Sequence, residues 1–215
     1  MFPKKIFVTG IGTNVGKSYA TGWLAKQLCE SGVSVITQKL IQTGNQDMSE
    51  DIDIHRKVMN IPLQAVDLNH LTAPIILSYP ASPHLSAKID KVDIDFSIAT
   101  KAADSLLNDY EAVLIEGAGG IMVPLKDDYL TIDYIVDESL PVVVVTNGQL
   151  GSINHTLLTL EILKSRGVRI YAVIYNPYFD EDKIICEDTI NYLENYIHKN
   201  YCATKFMLMS DALID

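Results

Sequence analysis

Across its 215 residues the chain has no apolar run long enough to cross a bilayer. The longest runs, such as residues 142–145, are strand-sized and fall far short of the ~20 residues a spanning helix needs. No membrane segment is expected, and the protein should be soluble. The opening Met1-Phe2-Pro3-Lys4-Lys5 passes straight into Ile6-Phe7-Val8, with neither the apolar stretch nor the small-residue cleavage site of a secretory signal. Cysteine is scarce: Cys29, Cys186 and Cys202 are odd in number, widely spaced and without a CxxC pair. That excludes a disulfide framework and a zinc site, and it makes the reducing cytoplasm the expected compartment. Cations are outnumbered, 17 Lys and Arg against 27 Asp and Glu, for a formal net charge of -10. A surface of that sign does not bind nucleic acid by displacing counterions. If the ligand is itself anionic, its cationic contacts must be few and local.

Other signatures are missing too. No GxSxG elbow accompanies the histidines, and His55, His70, His84, His155 and His198 show no metal-ligand spacing. They are read as structural or surface residues. No NKxD-type guanine reader is present. No repeat, Pro-rich linker or low-complexity tract divides the chain, so residues 1–215 are expected to form a single domain.

What is present is an alternation of short apolar runs with amphipathic segments. Strands are expected at residues 6–9, 33–37, 112–115, 142–146 and 170–175, with a weaker one at 205–209. Helices are expected at 18–31, 95–107, 152–166 and 181–197, the first and third ending before Gly32 and Gly167. Several strands are continuously apolar, as strands covered on both faces are. A doubly wound, mostly parallel α/β sheet follows, with ligand sites at the carboxyl ends of its strands. Residues 42–93 show the least pattern and are expected to hold one short helix.

The first strand runs into Gly10-Ile11-Gly12-Thr13-Asn14-Val15-Gly16-Lys17-Ser18 at the start of a helix. Backbone N–H groups of such a loop cradle phosphates, the lysine reaches the terminal phosphates, and the hydroxyl binds Mg²⁺. The spacing is a variant of GxxxxGK[ST], with Ile11 at the first glycine position and Gly10 one residue earlier. The third strand ends in Glu116-Gly117-Ala118-Gly119-Gly120, a carboxylate where a P-loop fold carries a second metal ligand. Lys39 stands at the end of the second strand, on the same edge as Lys17. If Asp47-Met48-Ser49-Glu50 opens a helix, Asp51 shares the inward face with Ile54 and Val58. Asp53 then joins Arg56, Lys57 and Asn60 in solvent. Asp51 is preferred over Asp53 as a metal ligand.

Together with Thr43-Gly44, Ser82-Pro83-His84 and Leu150-Gly151-Ser152-Ile153-Asn154-His155, these motifs resemble the dethiobiotin synthetase family in identity and order. The resemblance implies a P-loop NTPase-like fold and a homodimeric, Mg²⁺-dependent enzyme. Its reaction would be ATP-driven carboxylation and ring closure of 7,8-diaminononanoate with CO2. By position it implies Lys17 and Lys39 as catalytic groups. It assigns ATP to Gly12, Thr13, Asn14, Val15, Gly16, Lys17, Ser18, Asp51, Glu116, Gly117, Ala118, Gly119 and the adenine reader Asn176. Mg²⁺ falls to Ser18, Asp51 and Glu116. The substrate falls to Thr43, Gly44, Ser152, Ile153 and Asn154, the last three receiving its distal carboxylate across the dimer. The chain departs from the family's usual residues at Ile11, Gly12, Asn14 and Leu40. Two other readings fit a P-loop chain: a partitioning or assembly ATPase switch of the deviant P-loop group, and a nucleotide-binding module without catalysis. The first usually carries a further lysine early in the loop, where this chain has Ile11 and Gly12.

Overall fold

A computed structural model describes residues 3–209. Met1, Phe2 and residues 210–215, the two ends of the expected 1–215 domain, lie outside the described residues. β1 (Lys5–Gly10) leads through the glycine loop into α1 (Lys17–Glu30) and then β2 (Val35–Lys39). Next come β3 (Gln42–Thr43), α2 (Glu50–Met59), α3 (Ala65–Leu68), β4 (Ile76–Leu77), α4 (Pro83–Asp90) and α5 (Ser97–Leu106). β5 (Ala112–Glu116), β6 (Pro124–Lys126), β7 (Tyr129–Leu130), α6 (Thr131–Asp137) and β8 (Val142–Asn147) follow. The chain continues through α7 (Ser152–Ser165), β9 (Ile170–Asn176), a 3-10 turn at Pro177–Phe179, α8 (Lys183–Asn200) and β10 (Lys205–Leu208).

Six strands pair in the order β10-β9-β8-β1-β5-β2, every pair parallel. Alternate residues serve opposite faces, as the strand period requires. Phe7, Ile36, Val113, Ile115 and Val144 point to the side covered by Ala99, Leu106, Ile132 and Leu160. Ile6, Val8, Leu114, Val143 and Ile174 point to the side covered by Trp23 and Leu24 of α1 and by Val58 and Met59 of α2. Burial on both faces is why these strands read as unbroken apolar runs. Strand order reverses at β1, which lies between β5 and β8, so the carboxyl ends of β1, β5 and β8 flank a switch point where ligands bind in open α/β sheets.

The doubly wound parallel sheet and the six main strands agree with expectation. Two details do not. β2 starts at Val35, two residues late, because the Val33 N–H closes the end of α1 on Leu28 O and the Ser34 N–H is taken by the Glu111 carboxylate. Residues 42–93 hold three helices and the small parallel β3-β4 sheet, where one short helix was expected. α2 is the helix expected there; the other pieces are too short to show a clear period, and β3 is fixed by non-local bonds such as Gln42 N–H to Ile75 O.

Candidate active site

The loop after β1 turns into α1 through Gly16, whose φ of 82° is left-handed and favours glycine. A Cβ there would stand 2.1 Å from Asn176 Nδ2, so the end of β9 packs directly on the loop. Asn176 is buried; its Nδ2 donates to Val15 O at 3.1 Å and its Oδ1 accepts from the Tyr178 N–H. One Nδ2 hydrogen remains for another acceptor. Asn14 takes a positive φ of 58°, which asparagine tolerates better than most side chains. The Gly117, Ala118, Gly119 and Gly120 turn lies against this loop, with Gly120 facing Gly10 O and Gly12 N. Thr13 sits beside Gly119.

Five side chains from four elements meet at this edge. Ser18 Oγ lies 2.5 Å from Asp51 Oδ1 and 3.0 Å from Glu116 Oε1. Lys39 Nζ stands between the same two carboxylates, 2.5 Å from Asp51 Oδ2 and 2.8 Å from Glu116 Oε1, and also donates to Gly117 O. Lys17 Nζ donates to Gly12 O at 2.9 Å, within the loop. Glu116 and Lys39 are almost wholly buried. Burial alone would raise the Glu116 carboxyl, but Lys39 and a hydrogen bond from His55 outweigh it and hold it far below the usual carboxylate range. Burial likewise disfavours charge on Lys39, yet Glu116 and Asp51 raise it above the ordinary lysine value. Lys17 has no such contact; burial, opposed by Glu116 and reinforced by Lys39, takes it down to about 8.

The donor set suits Mg²⁺. The Ser18 hydroxyl and the two carboxylates within hydrogen-bond distance of it are hard oxygen ligands, and Mg²⁺ commonly binds one or two carboxylates while phosphate oxygens and water complete the shell. Among the described residues no group of three His, Cys, Asp or Glu stands close enough to hold a metal by itself.

The inward face of α2 differs from the one expected. Ser49 caps the helix, accepting from the Ile52 N–H, and the buried residues are Ile52, His55, Arg56, Val58 and Met59. Arg56 was expected in solvent but is 2% exposed. Its guanidinium makes two bonds to Asp67, which is why it turns inward. His55, one turn beyond Asp51, is fully buried with Nε2 2.6 Å from Glu116 Oε2. The spacing Asp51…His55, i to i+4, was the available signal that both side chains reach one place. Gly22 of α1 makes this possible: a Cβ there would meet Val58 Cβ at 2.8 Å and His55 Cα at 3.1 Å, so α2 packs on α1 more closely than a larger residue would allow.

The remaining candidates lie at the same sheet edge without a hydrogen bond to the cluster among the described residues. Thr43 is half-buried in β3, and Gly44, at φ 81°, packs against Pro80. Ser152, Ile153 and Asn154 form the first turn of α7 behind Gly151, and Ser152 Oγ is buried without a partner. No helix among the described residues is long and apolar enough to cross a membrane.

The family described as "AAA domain" matches residues 4–201. The chain is 45% identical over 206 residues to "ATP-dependent dethiobiotin synthetase BioD 2" of Pasteurella multocida, covering 96% of this chain and 97% of that one. It is 47% identical to the protein of the same name from Haemophilus ducreyi, covering 96% and 98%. Among solved structures, the signal recognition particle receptor FtsY from Elizabethkingia anophelis with GDP aligns at a TM-score of 0.57 and 16% identity. That alignment covers all of this chain and 59% of the receptor, so the chain spans about three-fifths of that longer protein. The pNOB8 ParA protein bound to nonspecific DNA aligns at 0.54 and 15% identity, covering 99% and 88%. Those two likenesses show the P-loop fold alone.

Proposed function

The chain belongs to the ATP-dependent dethiobiotin synthetase family and forms dethiobiotin with consumption of ATP, in biotin biosynthesis; from that premise we propose how its own residues act. The substrates are 7,8-diaminononanoate, CO2 and ATP. One amine adds to CO2 and gives a carbamate. A carbamate oxygen attacks the γ-phosphorus, breaking the bond to the β,γ-bridging oxygen and releasing ADP. The second amine then attacks the carbonyl of the mixed anhydride, phosphate leaves, and the ureido ring closes.

Backbone N–H groups of Gly12, Thr13, Asn14, Val15 and Gly16, with the positive end of α1, hold the phosphates. Lys17 swings from Gly12 O to the γ-phosphate, and Lys39 faces the same group from β2, so positive charge stands where it develops in transfer. Ser18, Asp51 and Glu116 would hold Mg²⁺, which would neutralise phosphate charge. Gly117, Ala118 and Gly119 let the backbone approach the nucleotide. The free Nδ2 hydrogen of Asn176 reads the adenine. Thr43 and Gly44 flank the carbamate.

The distal carboxylate of the substrate binds at Ser152, Ile153 and Asn154 of a second copy in a homodimer. The unpartnered Ser152 Oγ supports this, as does Leu150 beside it, 86% exposed and apolar. Residues 1–215 act as one domain. The enzyme works in the cytoplasm, where ATP is made and free thiols such as Cys29 and Cys202 persist.

The observation that carries this reading is the meeting of Lys39, Ser18, Asp51 and Glu116 beside the phosphate loop. Incorporation of labelled bicarbonate into an acid-stable product, with ATP, tests it. Label uptake and ADP release should both require diaminononanoate; ATP hydrolysis indifferent to that compound refutes the reading.

A further inference from the structure

Glu116 divides its two oxygens between two sets of partners. Oε1 faces Lys39 Nζ and Ser18 Oγ, while Oε2 is 2.6 Å from His55 Nε2. An ionised carboxylate only accepts, so Nε2 carries the hydrogen. On the other side of the ring, Thr37 Oγ1 lies 2.9 Å from His55 Nδ1. The same oxygen accepts from Arg56 Nη1 at 2.7 Å. A guanidinium can only donate, so the Thr37 hydroxyl keeps its proton free, and with the ring hydrogen on Nε2 it can donate that proton to Nδ1. Arg56 is held in turn by Asp67, through Nε to Oδ2 at 2.9 Å and Nη2 to Oδ1 at 2.7 Å. Asp67 also accepts from Thr72 Oγ1 and the Gln64 N–H, so both of its oxygens are held from two sides. A buried line of hydrogen bonds thus joins Asp67, Arg56, Thr37, His55 and Glu116.

We propose that His55 is a positioning residue for the nucleotide-bound cation: its Nε2–H fixes Glu116 Oε2 and leaves Oε1 facing Ser18 Oγ, which Asp51 also meets and where the metal would bind. The inference rests on the reading of Glu116 as a metal ligand. Asp51 and His55 are one turn apart on α2, so that helix supplies one ligand directly and orients the other. Partners that hydrogen-bond a ligating carboxylate set its direction, and their loss weakens metal binding about 10- to 100-fold. Without His55, Glu116 could rotate and offer either oxygen to Lys39.

The test is Mn²⁺ titration by electron paramagnetic resonance, with a non-hydrolysable ATP analogue present, on wild type, His55→Leu, His55→Gln and Glu116→Gln. Melting temperatures are recorded in parallel. His55→Leu should weaken Mn²⁺ about 10- to 100-fold. His55→Gln, whose amide N–H can reach the carboxylate, should recover most of the loss. A lowered melting temperature with Mn²⁺ affinity unchanged in His55→Leu, while Glu116→Gln binds weakly, overturns the role of His55. Unchanged affinity in Glu116→Gln overturns the metal assignment itself, and the inference with it. If His55→Leu does not fold, nitrogen-15 NMR of the wild-type ring decides: a hydrogen on Nε2 is expected, and a bare Nε2 overturns the proposal.

Discussion

Lys39 and Glu116 are register partners on adjacent parallel strands, and their side chains close a 2.8 Å ion pair at the carboxyl end of the sheet. Sheet pairing therefore sets two opposite charges side by side before any ligand arrives. A slip of one residue would bring Gln38, which faces the opposite side, into the position of Lys39.

Lys39→Ala separates transition-state stabilisation from binding. If Lys39 faces the transferring phosphoryl group, kcat falls by about 10²- to 10³-fold while nucleotide affinity stays within a few-fold. Single-turnover phosphate release together with nucleotide titration measures both. A raised KM for ATP with kcat intact would mean that Lys39 only binds ground-state nucleotide.

The Arg56–Asp67 pair should govern acid stability. Burial raises the Asp67 carboxyl, but hydrogen bonds from Arg56, Gln64 and Thr72 more than offset it and hold it below its ordinary 3.8. A depressed carboxylate gives stability that is present above the unfolded value and is lost as pH falls through the folded one. Wild type should therefore lose stability below about pH 4, and Asp67→Asn should flatten that limb. At neutral pH the substitution leaves Arg56 buried and unpaired and costs about 3–5 kcal/mol. Urea denaturation from pH 3 to 7 checks both statements.

Gly22→Ala forces α1 and α2 apart at His55 and Val58. The cost is about 1–3 kcal/mol from overpacking. Because α2 also carries Asp51, the nucleotide-dependent affinity for Mn²⁺ should fall too. Alanine at exposed Ala-tolerant helix sites would raise stability slightly, so a stabilised Gly22→Ala protein contradicts the close packing described.

Leu150→Glu places a charge at the apolar start of the α7 turn. Sedimentation should shift from dimer to monomer, and the KM for diaminononanoate should rise while nucleotide affinity is kept. A monomeric variant with unchanged KM would contradict a substrate pocket completed by the second copy.

Much of this was legible in the sequence, for definite reasons. The inner strands are buried on both faces, so runs such as 142–146 announce themselves, whereas the partly exposed edge strand β10 gave a weaker signal, and Gly32 and Gly167 mark helix ends with positive φ. Lys17 and Ser18 were legible because the glycine loop after β1 leads to them at the start of α1, and Glu116 because it ends the apolar run of β5. Asp51 needed a helical face, and the face was misjudged at Arg56, since a partner eleven residues away, Asp67, draws the guanidinium inward. His55 was read as an ordinary histidine because its partners, Thr37 and Glu116, are remote in sequence and joined only by the fold.

The most direct test of the account is a crystal structure with Mg²⁺, a non-hydrolysable ATP analogue and diaminononanoate. The account predicts Mg²⁺ at about 2.0–2.1 Å from Ser18 Oγ and from, at least, one oxygen each of Asp51 and Glu116. It also predicts Lys17 and Lys39 turned toward the γ-phosphate. A metal bound elsewhere, with Lys39 still closed on both carboxylates, would contradict it.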